Sequence, residues 1–178
     1  MNLRNKIIVL TTGGTIEKEF DERQGALLNR KSFFMEKIQD KLRLPNTEIE
    51  VHSVFAKDSK SFSDNDRINI CKKILILMNR NIPIVVLHGT DTLVKTAKLV
   101  YNISDNIQVP LVFTGAMRPL EFEDSDALQN LTESFIACKL LRPGVYLCFH
   151  GSVFDINKVK KNYSSLTFEV SSDQTKEL

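Results

Sequence analysis

The stretch Ile84–Val100 constrains the fold of this chain most. It opens on an uninterrupted apolar run, Ile84-Val85-Val86-Leu87, and stops abruptly at His88-Gly89-Thr90-Asp91-Thr92. Leu93, Val94, Ala97 and Val100 then return at helical spacing. A run that is apolar at every position is buried on both faces, as central strands of parallel sheets are, and the change to a 3.6-residue period marks a helix. Such a unit carries its polar residues at the carboxyl end of the strand, where open α/β sheets bind ligands. Thr90 and Asp91 are therefore predicted to stand at the mouth of a pocket.

The same grammar recurs along the chain. Lys6–Thr11 reads as a first strand running into Thr12-Gly13-Gly14-Thr15-Ile16, where paired glycines permit positive φ and close backbone approach. The spacing fits neither G-x-G-x-x-G nor a P-loop, which argues against a nucleotide site. Glu17–Arg30 is charged, contains Gly25, and reads as a mobile loop, either a lid or an ordinary surface connection. Ser32 is predicted to cap a helix over Phe33–Leu42, stopped by Pro45. Thr47–Phe55 reads as a second strand, delivering the loop Ala56–Ser63. Ser63 and Asp66 have capping-box spacing for a helix from Asp64 to about Asn79, which leaves Asp58 and Ser59 free for other work. Pro110–Phe113 and Val145–Phe149 are further short strands, and Ser125 is placed to cap the helix between them, ending near Leu141. Gly151–Leu178 is polar, carries Lys158, Lys160 and Lys161, and looks frayed at its end. Strands alternating with helices at this rhythm predict an α/β fold, a doubly wound and mainly parallel sheet flanked by helices. A length of 178 residues suits a single domain, 1–178.

Charge narrows the function classes. With 24 basic against 22 acidic residues, no field calls for nucleic acid or an anionic membrane surface. No apolar stretch is long enough to span a bilayer, and Ile7–Leu10 is too short for a secretory signal. Cys71, Cys138 and Cys148 are odd in number, form no Cys-x-x-Cys pair and lie in apolar surroundings, as small core thiols of a cytoplasmic protein do. His52, His88 and His150 lack a second ligand at metal spacing, so each reads as a hydrogen-bonded structural histidine and no metal or cofactor is expected. Thr92 reads as a helix cap, and Arg118 with Asp126 as a charge-assisted pair between loops.

Read together, three ordered motifs are far more specific than any one alone. Thr11-Thr12-Gly13-Gly14-Thr15-Ile16, His88-Gly89-Thr90-Asp91-Thr92, and Gly115-Ala116-Met117-Arg118-Pro119 with Ser125-Asp126 downstream resemble the bacterial-type L-asparaginase/glutaminase family. The similarity runs from about Lys6 to about Lys161, and the chain resembles the N-terminal domain of that family alone, without the C-terminal domain of longer members. The resemblance implies hydrolysis of L-asparagine, with weaker action on L-glutamine, by attack of a threonine hydroxyl on the side-chain amide. Matched position by position, the reactive threonines are Thr15 and Thr90, Asp91 holds the substrate's α-amine, and Ser59 of Asp58-Ser59 receives its α-carboxylate. The family lysine falls on Lys161, or on Lys160 if the register slips by one. The resemblance further implies a homo-oligomer.

The chemistry suits these residue types. A threonine hydroxyl attacks only if a base takes its proton. A lysine serves as that base where a dry pocket favours its neutral form, a neighbouring carboxylate works in the opposite direction, and otherwise the lysine relays the proton through water. Backbone N–H groups around Gly13-Gly14 and Gly89 are candidates to stabilise the developing oxyanion. The sequence departs from the family pattern at two positions. Family members place a tyrosine in the loop after the first motif, whereas Glu17–Arg30 has only Phe20 as an aromatic. Lys60 stands where members often carry glutamine or another polar residue. Lys60 bears on side-chain fit, while the missing tyrosine and the missing C-terminal domain of longer members motivate an alternative reading, a non-catalytic module that binds an amino acid or regulates a partner through the inherited pocket.

Overall fold

The computed structural model describes residues 5–29, 38, 41–104 and 106–171. Among them the strands are β1 (Asn5–Gly13), β2 (Lys18–Asp21), β3 (Ala26–Asn29), β4 (Thr47–Lys57), β5 (Ile84–Leu87), β6 (Pro110–Thr114), β7 (Gly144–Phe149), β8 (Ser152–Asp155), β9 (Val159–Asn162) and β10 (Thr167–Val170). The helices are α1 (Asp64–Met78), α2 (Leu93–Ile103) and α3 (Ala127–Leu140). Six strands form one sheet in the order β4-β1-β5-β6-β7-β8, parallel except for the antiparallel edge strand β8. This is the mainly parallel, helix-flanked sheet that the apolar runs predict.

Period-two alternation explains the layering. Ile8, Leu10, Ile84, Val86, Leu111 and Phe113 face the cluster that buries Ile70 and Ile74 of α1 with Leu93 and Ala97 of α2. Their neighbours Ile7, Val9, Val85, Leu87 and Val112 face the opposite cluster, with Leu131, Phe135 and Cys138 of α3. Successive strand side chains point to opposite faces, so an all-apolar strand needs a helix on each side. Cys71, Cys138 and Cys148 are buried, unpaired thiols within these clusters.

The caps follow local chemistry, with two corrections. Ser63 accepts from the Asp66 N–H at 3.1 Å while the Asp66 carboxylate accepts from the Ser63 N–H at 2.8 Å, a complete capping box. At α3 the N-cap position is Asp126, although the Ser125 hydroxyl still accepts from the Ala127 N–H at 3.0 Å. The expected side-chain pair of Arg118 with Asp126 is not formed, because Arg118 pairs with Asp124 and Asp126 is engaged elsewhere.

Two polar segments are more ordered than their composition suggests. A 3-10 turn, Thr15–Glu17, leads into the expected mobile loop, and within the loop β2 pairs antiparallel with β3. Gly25, at φ 59°, makes the reversal between them. Lys18 Nζ reaches Asp58 at 2.8 Å and the Phe20 N–H reaches Glu121 at 2.9 Å, so this hairpin is tied to loops beyond two different strands. Beyond β8, β9 and β10 form a second hairpin, nailed to the core by Ile156, Val159 and Phe168. The helix predicted over 33–42, with its Ser32 cap, falls outside the described residues apart from 38, 41 and 42, and so does the end of the chain from 172 onward.

Candidate active site

The chain leaves β1 for β4 on one side and continues from β5 through β6 to β7 on the other, so the strand order reverses between β1 and β5. Loops diverging from such a switch point open a crevice at the carboxyl ends of the strands. Here those loops are Gly13–Thr15 and His88–Asp91, with Asp58–Ser59 arriving from β4.

Bare backbone lets the three loops touch. Gly14 lies at φ 87°, and a Cβ there would fall 2.5 Å from both Cα and N of Gly89. A Cβ on Gly89 would in turn fall 2.4 Å from Ser59 Oγ. Gly14, Gly89 and Ser59 are thus stacked in one row, and Thr15 and Thr90 each follow a glycine of that row. Gly14→Ala is expected to cost about 2 kcal/mol through overpacking against immovable backbone. Denaturant unfolding of the variant beside the parent protein checks this.

Lys161 links the next residues. Its Nζ donates to Thr90 Oγ1 at 2.7 Å and to Asp91 Oδ1 at 2.8 Å, and lies 4.9 Å from the centre of the Tyr163 ring. Its side chain is only 10 % exposed. The neighbouring Lys160 points elsewhere, 3.4 Å from Glu169, so the geometry distinguishes the two lysines. Burial pushes the Asp91 carboxyl up, but the Lys161 hydrogen bond and charge, with Lys60, hold it below the ordinary carboxylate range. Thr90 is buried, and its hydroxyl points at Met117 Sδ, 3.8 Å away.

Around this chain the other expected residues take distinct places. Asp58 accepts from Lys18 Nζ at 2.8 Å and from the Lys60 N–H at 3.0 Å. Ser59 is buried, and its Oγ has no hydrogen-bond partner among the described residues. Thr15 is half-buried, and its hydroxyl is not bonded to the Thr90–Lys161–Asp91 chain. Thr92 holds the N-cap position of α2 as expected, but its hydroxyl makes no cap bond; it donates to the Ser59 carbonyl at 3.0 Å and so fastens two of the loops.

One expectation narrows. The Gly13 N–H donates to Glu17 Oε2 at 2.6 Å and the Gly14 N–H to the Lys57 carbonyl at 3.1 Å, so neither is free to meet an oxyanion. Of the three glycines, Gly89 is left as the candidate donor. Gly14 serves by close approach instead.

Phe20, where a tyrosine is looked for, is 57 % exposed on β2. The tyrosine near the site is Tyr163, beside Lys161.

Several contributors carry weak sequence signals. Glu17 is buried with its carboxyl pushed up to about 7, chiefly by burial, while the Gly13 N–H and the Thr11 hydroxyl pull the other way. A charged residue directly after Thr15-Ile16 reads as loop surface, and only its inward rotation in the 3-10 turn reveals otherwise. Met117 is positioned by Asp126, whose carboxylate accepts from the N–H groups of Met117 and Arg118 at 3.0 Å and from Asn130 Nδ2 at 2.9 Å. His150 Nε2 meets the same carboxylate at 2.9 Å. His88 is wholly buried between Phe62 and Phe113, with Nδ1 2.9 Å from the Gly89 carbonyl. Burial first, then the charge of Arg67, lowers its pKa to about 4. It supports the loop as a neutral ring.

Among the described residues no group of three His, Cys, Asp or Glu side chains is placed to hold a metal ion, and no helix is long and apolar enough to cross a membrane. Compared with known proteins, residues 6–178 match the family described as Asparaginase, N-terminal. The chain belongs to the asparaginase N-terminal family. The L-asparaginase of Thermococcus kodakarensis is 29% identical over 161 residues, covering 89% of this chain and 48% of that protein. Its solved structure superposes with a TM-score of 0.83 at 28% identity, over 93% of this chain and 51% of that one. The probable cytoplasmic L-asparaginase of Campylobacter jejuni shares the fold, with a TM-score of 0.78 at 24% identity over 93% of this chain and 51% of that one. A glutamyl-tRNA(Gln) amidotransferase component of Methanobrevibacter smithii is 29% identical over 171 residues, 91% of this chain and 39% of that protein. This asparaginase-family chain therefore spans about half the length of the two asparaginases and less of the amidotransferase component.

Proposed function

We propose that the protein is an amidohydrolase that converts L-asparagine to L-aspartate and ammonia, with weaker action on L-glutamine. The observation that carries this reading is the Asp91–Lys161–Thr90 chain, in which a buried hydroxyl, an ammonium and a carboxylate are joined by bonds of 2.7 and 2.8 Å. Nucleophile, proton carrier and orienting group stand in that order in hydrolases that use a hydroxyl.

In the first step a threonine Oγ attacks the amide carbon, its proton passes to the leaving nitrogen, and ammonia departs to leave an acyl ester. Water then adds to the ester and restores the hydroxyl. Thr90 is the hydroxyl with a proton carrier in reach, and Thr15 presents the second from the adjacent loop. Asp91 is assigned to the substrate's α-ammonium, and the unpartnered, buried Ser59 Oγ, beside Asp58, to its α-carboxylate. The Gly89 N–H is assigned to the oxyanion. No cofactor is needed for this sequence of bonds. Buried, unpaired cysteines agree with a reducing cytoplasm, and self-association would help exclude water from the loops that carry Thr15, Thr90 and Asp91.

Purified protein mixed with L-asparagine is expected to release ammonia, measured by a coupled dehydrogenase assay. One feature favours the rival reading of a binding module: the β2–β3 hairpin carries no tyrosine and Phe20 faces solvent. Heat of binding for aspartate or asparagine with no ammonia after prolonged incubation would replace the first reading by the second.

A further inference from the structure

The carboxylate assigned to the substrate's ammonium is already occupied on both oxygens. Asp91 Oδ1 accepts from Lys161 at 2.8 Å, and Asp91 Oδ2 lies 3.4 Å from Lys60 Nζ. Next to it, Asp58 takes Lys18 Nζ at 2.8 Å and the Lys60 N–H at 3.0 Å. This rim therefore sets three ammonium groups, Lys18, Lys60 and Lys161, against two carboxylates, Asp58 and Asp91. Between them Ser59 keeps a buried hydroxyl that no described residue bonds.

A free amino acid brings one ammonium and one carboxylate to this rim. Its carboxylate gains from the excess positive charge. Its ammonium must displace Lys60 from Asp91 Oδ2 and then remain near two like charges, which disfavours binding at short range even in a partly solvated site. A molecule that carries the amide and the carboxylate but no ammonium keeps the gain and escapes the repulsion. Lys60 is 72 % exposed, so solvent screens its charge and the discrimination is moderate rather than absolute.

We propose that Lys60 is a specificity-determining residue, and that the site prefers ω-amides of dicarboxylic acids lacking a free α-ammonium, of which succinamate is the simplest, over free L-asparagine. The inference rests on the amidohydrolase reading but is separable from it. The test is kcat/KM for ammonia release from succinamate and from L-asparagine, for the parent protein and for Lys60→Gln. The parent is expected to favour succinamate by about tenfold or more, and Lys60→Gln to shift the ratio toward asparagine by a similar factor. A parent that favours asparagine, or a ratio unmoved by Lys60→Gln, overturns the inference while leaving the amidohydrolase intact. If neither amide is hydrolysed, that reading falls, and calorimetry with the two acids decides the inference on its own. Succinate binding tighter than aspartate upholds it, and equal or reversed affinities overturn it.

Discussion

Thr90→Ala is expected to lower ammonia release by at least about 10³-fold, and Lys161→Met by about 10²- to 10⁴-fold, with thermal unfolding little changed. On the proposed mechanism Thr90 and Lys161 act as one unit, because among the described residues the hydrogen-bonded route from the Thr90 hydroxyl to Asp91 runs through Lys161 Nζ. Thr90→Ala removes the hydroxyl, and Lys161→Met keeps the aliphatic stem while removing the ammonium. A double variant should therefore lose little more than the worse single one, since groups that act together are strongly non-additive. Multiplying losses would mean that the two side chains act separately and would break the proposed chain. Thr90→Ser, which keeps the hydroxyl, should retain measurable turnover. Thr15→Ala should fall as far as Thr90→Ala if Thr15 carries the acyl group, and mass spectrometry of the quenched reaction reads which threonine is acylated. Full turnover in both alanine variants would remove the threonine mechanism altogether.

How much of this is legible from residues alone depends on where each side chain gets its surroundings. The central strands are plain because full burial demands apolar residues at consecutive positions, and Ile84–Leu87 fall in the structure where the run places them. The capping box at Ser63 and Asp66 is equally plain, being local to four residues. The β2–β3 hairpin is hidden because its anchors, Asp58 and Glu121, lie far away in sequence and its own composition is charged. Lys161 illustrates the same limit. One lysine among the three between Asp155 and Lys161 carries no periodic signal, and its place follows only from family resemblance. Its approach to Thr90 depends on Val159 and Phe168 entering a core built by strands much earlier in the chain. Asp126 shows a local expectation defeated by competition: Met117, Arg118, Asn130 and His150 all bring nitrogen atoms to its carboxylate, and the Arg118 side chain finds Asp124 instead.

Glu17 supplies the second large effect, on stability rather than rate. Its carboxyl is moved from 4.5 to about 7 by burial, so the folded protein holds this proton where the unfolded chain has released it. Below pH 4.5 both states are protonated and burial carries no ionic penalty. As pH rises through the window from 4.5 to about 7, the unfolded state is increasingly favoured, and the lost stability reaches about 3 kcal/mol above it. Glu17→Gln keeps an acceptor for the Gly13 N–H and cannot ionise. The two proteins should therefore be about equally stable at pH 4, and the variant more stable by about 3 kcal/mol at pH 8. The comparison is made as a difference because other groups titrate nearby. His88, with a pKa of about 4 against 6.5, makes folding less favourable as pH falls below 6.5, the opposite direction. That contribution is common to both proteins and cancels. Parallel stability curves for the two proteins from pH 4 to pH 8 would show that Glu17 ionises as freely in the folded protein as outside it.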